Sequence, residues 1–194
     1  MNDKSKLIIA FQGMAGAYSN MACEAYFPNS KTLACTSFED MLNSTKNGES
    51  DYAMVPVENS LAGRVADIHY LLPKYKLQIH GEYFQMVEHN LLCKPDAKIE
   101  DIKFVRSHAQ AIGQCQNIIN KRKFKSIISA DTAGSAKDLA EGKDKSIAAI
   151  ASELSAKIYN LKILEKNIED EKGNVTRFLV MGKTIEQPEF SKNK

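Results

Sequence analysis

Four short stretches bring together side chains that could bind and polarise a small ligand. They are FQGMAGAYS (11–19), VPVENSLAGRV (55–65), RSHAQAIGQC (106–115) and GNVTRFLVM (173–181). In the first, Gly13 and Gly16 allow a tight turn with close backbone approach, and a helix opens near Ala17, Tyr18 and Ser19. Free N–H groups at such a helix start suit an anion such as a carboxylate, although a plain loop explains two glycines equally well. In the second, an apolar strand runs into Pro56, Glu58, Asn59 and Ser60, with Gly63 permitting a turn. Polar groups at the end of a buried strand need partners, and either a substrate or loop backbone would serve. In the third, Gln110 and Gln114 are four apart and share one helical face behind His108; two exposed glutamines are the blander reading. In the fourth, Arg177 offers a fixed, forked cation suited to a carboxylate, with the Thr176 hydroxyl beside it and Phe178 opening an apolar strand.

The elements that must position these groups alternate. Strands are expected at Leu7–Phe11, Thr32–Thr36 and Tyr52–Val57, separated by helices over Ala17–Phe27, Phe38–Asn47 and Val65–Leu72. A long stretch of β character, 77–94, follows and suits strands that cross between two lobes. A second alternating block has strands at Ile102–Val105, Ile127–Ala130 and Ile147–Ile150. Its helices cover His108–Lys121, Thr132–Glu141, with Thr132 as N-cap, and Ser152–Tyr159. Strands at Leu161–Asn167 and Arg177–Gly182 close the pattern. Such alternation predicts an α/β fold with largely parallel sheets, arranged as two α/β lobes around a central cleft. The first lobe is expected from residues 1–78 plus 162–184, the second from 79–161, and a polar tail from 185–194.

Composition excludes several classes. With 194 residues, 43% hydrophobic and 26% charged, the chain can bury a core. A net charge of +2 gives no electrostatic footprint for nucleic acid. The run Lys121-Arg122-Lys123-Phe124-Lys125 reads as a solvated helix end. No apolar run approaches a membrane span or a signal-peptide core, so a cytoplasmic location is expected. The Asn174 and Asn43 matches to the glycosylation pattern therefore have no use. Cys23, Cys35, Cys93 and Cys115 are widely spaced and read as buried apolar residues. His69, His80, His89 and His108 lack metal-ligand spacing. There is no GxGxxG, no GxxxxGK[ST], no Ser-His-Asp set and no activated cysteine. The residues alone define an α/β protein with a polar cleft for a small anionic ligand, and no reaction.

Together the stretches resemble the prephenate dehydratase family, from Ile8 to Gly182. FQGMAGAYS is similar to the family's N-terminal glycine turn and VPVENSLAGRV to its most recognisable segment. SHAQAIGQC resembles a motif usually written His-Pro-Gln, here with Ala109 in place of proline. ADTAGSA, AAIASELSAKIYNL and IEDEKGNVTRF follow in family order. The resemblance implies two lobes arranged like a type II periplasmic binding protein. It implies a carbon–oxygen lyase of phenylalanine biosynthesis that converts prephenate to phenylpyruvate, carbon dioxide and water. An arogenate dehydratase, or a non-catalytic small-anion binding protein on the same scaffold, are the alternatives. Thr176, Asn59 and Gln114 match the family's catalytic residues. Substrate contacts are expected from Arg177, Ser60, Gly16, Ala17, Tyr18 and Ser19, and from Glu58, His108 and Phe178. Arg177 is assigned the substrate's side-chain carboxylate. No metal or organic cofactor, nucleic acid or membrane is implied, and a homodimer is. Sixteen residues follow Phe178, too few for the phenylalanine-sensing ACT domain of many members, so feedback inhibition is expected to be weak.

Overall fold

Alternation of side chains sets the first sheet. In β1 (Ile8–Gln12), Ile9 and Phe11 face one side and Ala10 the other, and all three are buried. The computed structural model describes residues 6–183. β1 lies between two parallel partners, β2 (Lys31–Cys35) and β3 (Tyr52–Asn59). A two-residue strand, β4 (Gly63–Arg64), folds back on the end of β3. Helix α1 (Tyr18–Tyr26) covers the Ile9–Phe11 side with Ala22 and Cys23. Helices α2 (Phe38–Asn47) and α3 (Ala66–Leu71) cover the opposite side with Met41, Leu42, Ile68 and Leu71. Ser37 caps α2 by accepting from Asp40 N–H at 3.0 Å, and Gly48 ends it in the left-handed region.

The chain then enters β5 (Gln78–Met86) and crosses to the second lobe through Val87, Glu88 and His89. β6 (Asn90–Cys93) is buried on both faces. β7 (Phe104–His108) follows, then α4 (Ala109–Gly113), α5 (Gln116–Arg122) and β8 (Lys125–Ser129). α6 (Thr132–Glu141), β9 (Ile147–Ala151), α7 (Glu153–Ile158) and β10 (Lys162–Glu165) complete the lobe. Its strand order is β10-β6-β9-β7-β8. A second crossing leads to β11 (Val175–Gly182), which inserts between β3 and β5 in the first sheet. The first sheet therefore reads β2-β1-β3-β11-β5, with β4 attached to β3. The two crossings are themselves joined: Ile168 N–H donates to the His89 carbonyl, and Val87 N–H to the Asn174 carbonyl, at 2.9 and 2.8 Å.

This is the two-lobed α/β arrangement that the alternation predicts, with four differences. The sheets are mixed, because β11 and β6 run antiparallel to their neighbours. The expected lobe boundaries shift: β5 belongs to the first sheet through its pairing with β11, and β10 to the second through β6. The expected helix over 108–121 is two helices. Gly113 weakens it, and both carboxylate oxygens of Asp170 accept the Gln116 and Asn117 N–H groups to start α5 afresh. Asp131, not Thr132, caps α6, accepting from Gly134 N–H at 2.6 Å. The four cysteines are buried and unpaired. The expected polar tail, 185–194, lies outside the described residues. Among the described residues no helix is long and apolar enough to cross a membrane.

Candidate active site

The strand ends and crossings meet in a cleft of about 510 Å³ between the lobes. Thr176, Asn59, Gln114, Tyr18 and His108, all expected from the sequence, line it. So do Gln12, Arg64, His89, Gln110, Asp131 and Asn174. A larger groove of about 840 Å³ runs between α1 and α7, and none of the expected site residues lines it.

Register brings Asn59 and Thr176 face to face, because they are paired positions on β3 and β11. Asn59 Nδ2 donates to Thr176 Oγ1 at 3.0 Å and to Asn174 Oδ1 at 2.6 Å. Asn59 Oδ1 accepts the backbone N–H groups of Leu61 and Ala62 at 3.0 and 2.9 Å. Those amides fix the orientation of the side chain, so Thr176 is an acceptor from Asn59 and its own hydroxyl hydrogen is left for the cleft. Gln114 reaches the same floor from the second lobe because the helix stops at Gly113 and turns there. Its Oε1 lies 3.1 Å from Asn174 Nδ2 and 2.8 Å from His89 Nε2.

His89 and Tyr18 form the back wall. The Tyr18 hydroxyl lies 2.8 Å from both His89 Nδ1 and the Glu88 carbonyl. Burial pushes the Tyr18 phenol well above its usual range, and the Glu169 and Glu88 carboxylates push it further. Burial likewise lowers the His89 imidazolium below the usual histidine range, opposed by the bond to Gln114 and by Glu169. His89 is therefore neutral at pH 7. Among the described residues no group of three or more His, Cys, Asp or Glu is placed to hold a metal ion.

Other expected contacts stand elsewhere. Arg177 is corrected: its guanidinium is paired with Glu82 on β5, Nε to Oε2 at 2.9 Å, on the exposed side of the sheet. Neighbours on a strand face opposite ways, so Thr176 and Arg177 cannot both look into the cleft. Phe178 is 2% exposed and packs with Ile9, Phe11 and Met54. Ser60 bridges the two loops, donating to the Gly173 carbonyl and accepting Val175 N–H. Ser19 donates to the Gln12 carbonyl, and Glu58 is exposed on β3 opposite Arg64. Gly16 and Ala17 form the turn into α1, and the Gly16 carbonyl is taken by Ser152 and Ser155 of the second lobe. None of His89, Asn174, Asp131 and Arg64 was expected at the site from sequence; Asn174 stood only as an unused glycosylation match and His89 only as a histidine without metal-ligand spacing. Two signals were present: a histidine and an asparagine interrupting the apolar run MVEHNLLC, and a Gly-Asn turn directly before Thr176.

A two-lobed α/β scaffold with an amide- and hydroxyl-lined cleft at its strand ends is the class that fold and site define. The chain belongs to the prephenate dehydratase family, whose profile matches residues 9–186. It is 43% identical over 173 residues to a bifunctional N-acyl-homoserine lactone acylase/prephenate dehydratase of Komagataeibacter europaeus, covering 89% of this chain and 62% of that one. It is 39% identical to arogenate dehydratase/prephenate dehydratase 2, chloroplastic, of Arabidopsis thaliana, over 94% of this chain and 48% of that one. The Arthrobacter aurescens prephenate dehydratase solved in complex with L-Phe superposes with a TM-score of 0.85 at 28% identity, covering 94% of this chain and 62% of that one. The chain thus spans between about half and two thirds of the length of these relatives.

Proposed function

We propose that the chain is a carbon–oxygen lyase that converts prephenate to phenylpyruvate, carbon dioxide and water. The observation that carries this reading is the Thr176 hydroxyl, which lines the cleft and accepts from Asn59, so that its own hydrogen can be donated to a ligand there. In the reaction, the bond from the ring to its carboxylate breaks and its electron pair enters the ring. The ring hydroxyl departs with one proton, which is ultimately taken from solvent. Negative charge grows on the leaving oxygen, and hydrogen bonds from Thr176 and the Gln114 amide would stabilise it there. A threonine is too weak an acid for tuned general-acid catalysis, so aromatisation supplies the driving force and Thr176 the last hydrogen bond. The reading asks for no cofactor.

Arg64 takes the anchoring role that Arg177 does not fill. It is the one Lys or Arg among the described residues that lines the cleft, and it suits the carboxylate of the substrate's side chain. Holding the departing ring carboxylate instead would stabilise the ground state more than the transition state. The apolar lining of Val65, Val87 and Ala111 suits a group that loses its charge. One observation favours arogenate as a second substrate: Asp131 also lines the cleft, and its carboxylate would match the ammonium that arogenate carries and prephenate lacks. The cleft lining contains no serine or cysteine, so the acylase activity in one relative's name is not part of the proposal. A cytoplasmic homodimer is part of it, and light scattering tests the dimer.

Incubation of the purified chain with prephenate and, separately, arogenate tests the reading. Enzyme-dependent phenylpyruvate from prephenate is expected. Phenylalanine from arogenate alone would transfer the assignment to that substrate. No product from either, with the protein folded, would overturn it.

A further inference from the structure

The hydrogen bonds at the floor of the cleft have a direction. Backbone N–H groups can only donate, so Leu61 and Ala62 force Asn59 Oδ1 to accept. Asn59 Nδ2 must then donate to Asn174 Oδ1. With that oxygen accepting, Asn174 Nδ2 is turned to Gln114 Oε1 and donates to it. With Gln114 Oε1 accepting, His89 Nε2 must carry a hydrogen. In neutral His89 this leaves Nδ1 bare, so the single Tyr18 hydroxyl hydrogen is shared between Nδ1 and the Glu88 carbonyl, both 2.8 Å from the oxygen. Two peptide groups of the first lobe thereby set the amides and the imidazole along the whole floor. Two donors are left for the cleft: the Thr176 hydroxyl hydrogen and the Gln114 amide NH2.

We propose that Asn174 is a positioning residue, carrying this polarity from the first lobe to the second so that Gln114 presents its NH2, not its carbonyl, to the substrate. Asn174 is 3% exposed and is the only described side chain bonded to both Asn59 and Gln114. It acts on the reaction through those two neighbours. The kinetic part rests on the dehydratase reading; the direction of the bonds does not.

Two measurements test it. Nitrogen-15 NMR at pH 8, with His89 assigned by comparison with His89→Gln, should show the Nε2–H tautomer in the unmodified chain. Asn174→Asp is nearly isosteric and can still accept from Asn59, but its carboxylate cannot donate to Gln114. Gln114 should then turn its amide round, His89 should switch to the Nδ1–H tautomer, and kcat should fall roughly 100-fold, the cost of one misdirected donor, with KM changed less than about threefold. An Nδ1–H tautomer in the unmodified chain would overturn the proposal, and needs no variant and no substrate. So would an Asn174→Asp chain that keeps its tautomer and its kcat. Absence of turnover in the unmodified chain would remove the dehydratase reading while the NMR result still decided the direction of the bonds.

Discussion

At the residue scale, one acceptor and one donor decide what Thr176 can do. Because Asn59 occupies its oxygen, Thr176→Ala should remove the hydrogen bond to the leaving group and lower kcat by roughly 100- to 1,000-fold. KM should stay within a few-fold, as steady-state kinetics would show. The two arginines should separate cleanly. Arg64→Ala is expected to raise KM by about tenfold or more, whereas Arg177→Ala should leave kcat and KM within about twofold, its exposed pair with Glu82 being of small worth. The pH response follows from His89. Its folded-state pKa is depressed by burial, so on acidification the unfolded chain takes up a proton near pH 6.5 that the folded chain refuses. Stability from this group is complete above about pH 6.5 and declines as pH falls toward the folded value. Denaturant unfolding at pH 7.5 and 5.5 should show the loss, and His89→Gln should flatten that part of the slope. Turnover should be level from neutral to mildly alkaline pH, since Tyr18 titrates above its usual range. A sharp alkaline limb below pH 9 would contradict this.

At the scale of elements, the turn before α1 works as a joint between lobes. The Gly16 carbonyl accepts from Ser152 and Ser155, and the Ala15 carbonyl accepts from Tyr159 at 2.9 Å. Gly16 has φ +91°, and a Cβ there would stand 2.5 Å from Ser155 Oγ and 2.9 Å from its Cα. Gly16→Ala should therefore cost roughly 2–4 kcal/mol, from strain and from a backbone that cannot yield. Gly173→Ala is the matched comparison: φ is +85°, but nothing lies within 4 Å, and about 1 kcal/mol is expected. Chemical denaturation of both variants checks the difference. The sequence made the local part of this legible. Gly13 and Gly16 announced a turn, helical spacing marked Phe38–Asn47, and short apolar runs marked the buried strands at Leu7–Phe11 and Tyr52–Val57. What stayed hidden depends on distant partners. Gly16 meets Ser155 across the lobe boundary, Asp170 restarts a helix fifty-odd residues upstream of it, and Asn174 looked like a surface sequon until the fold buried it. Arg177 is different: the expectation put it in the cleft beside Thr176, although the two-residue period of a strand is a reason, available from sequence, against the two sharing it.

At the scale of the molecule, the lobes are unequal in how the chain makes them. All five strands of the second sheet fall within residues 90–165, whereas the first needs residues 8–86 together with 175–182. A fragment of residues 88–168 should therefore fold alone, with dispersed NMR resonances. A fragment of residues 6–86 should not, because β3 and β5 have no direct pairing and lack the strand that joins them. Equal folding of both fragments would show that β11 is not needed to organise the first lobe. The place of β11 also bears on how the protein is born. A ribosome releases the chain from its N-terminus, so the second lobe can close while the first still has a gap in its sheet and open edges on either side. The strand that fills the gap brings Thr176, with Asn174 just ahead of it. A nascent chain halted before residue 175 would have most of the walls of its cleft and no hydroxyl to work with. Completion of the sheet and onset of chemistry are then the same event.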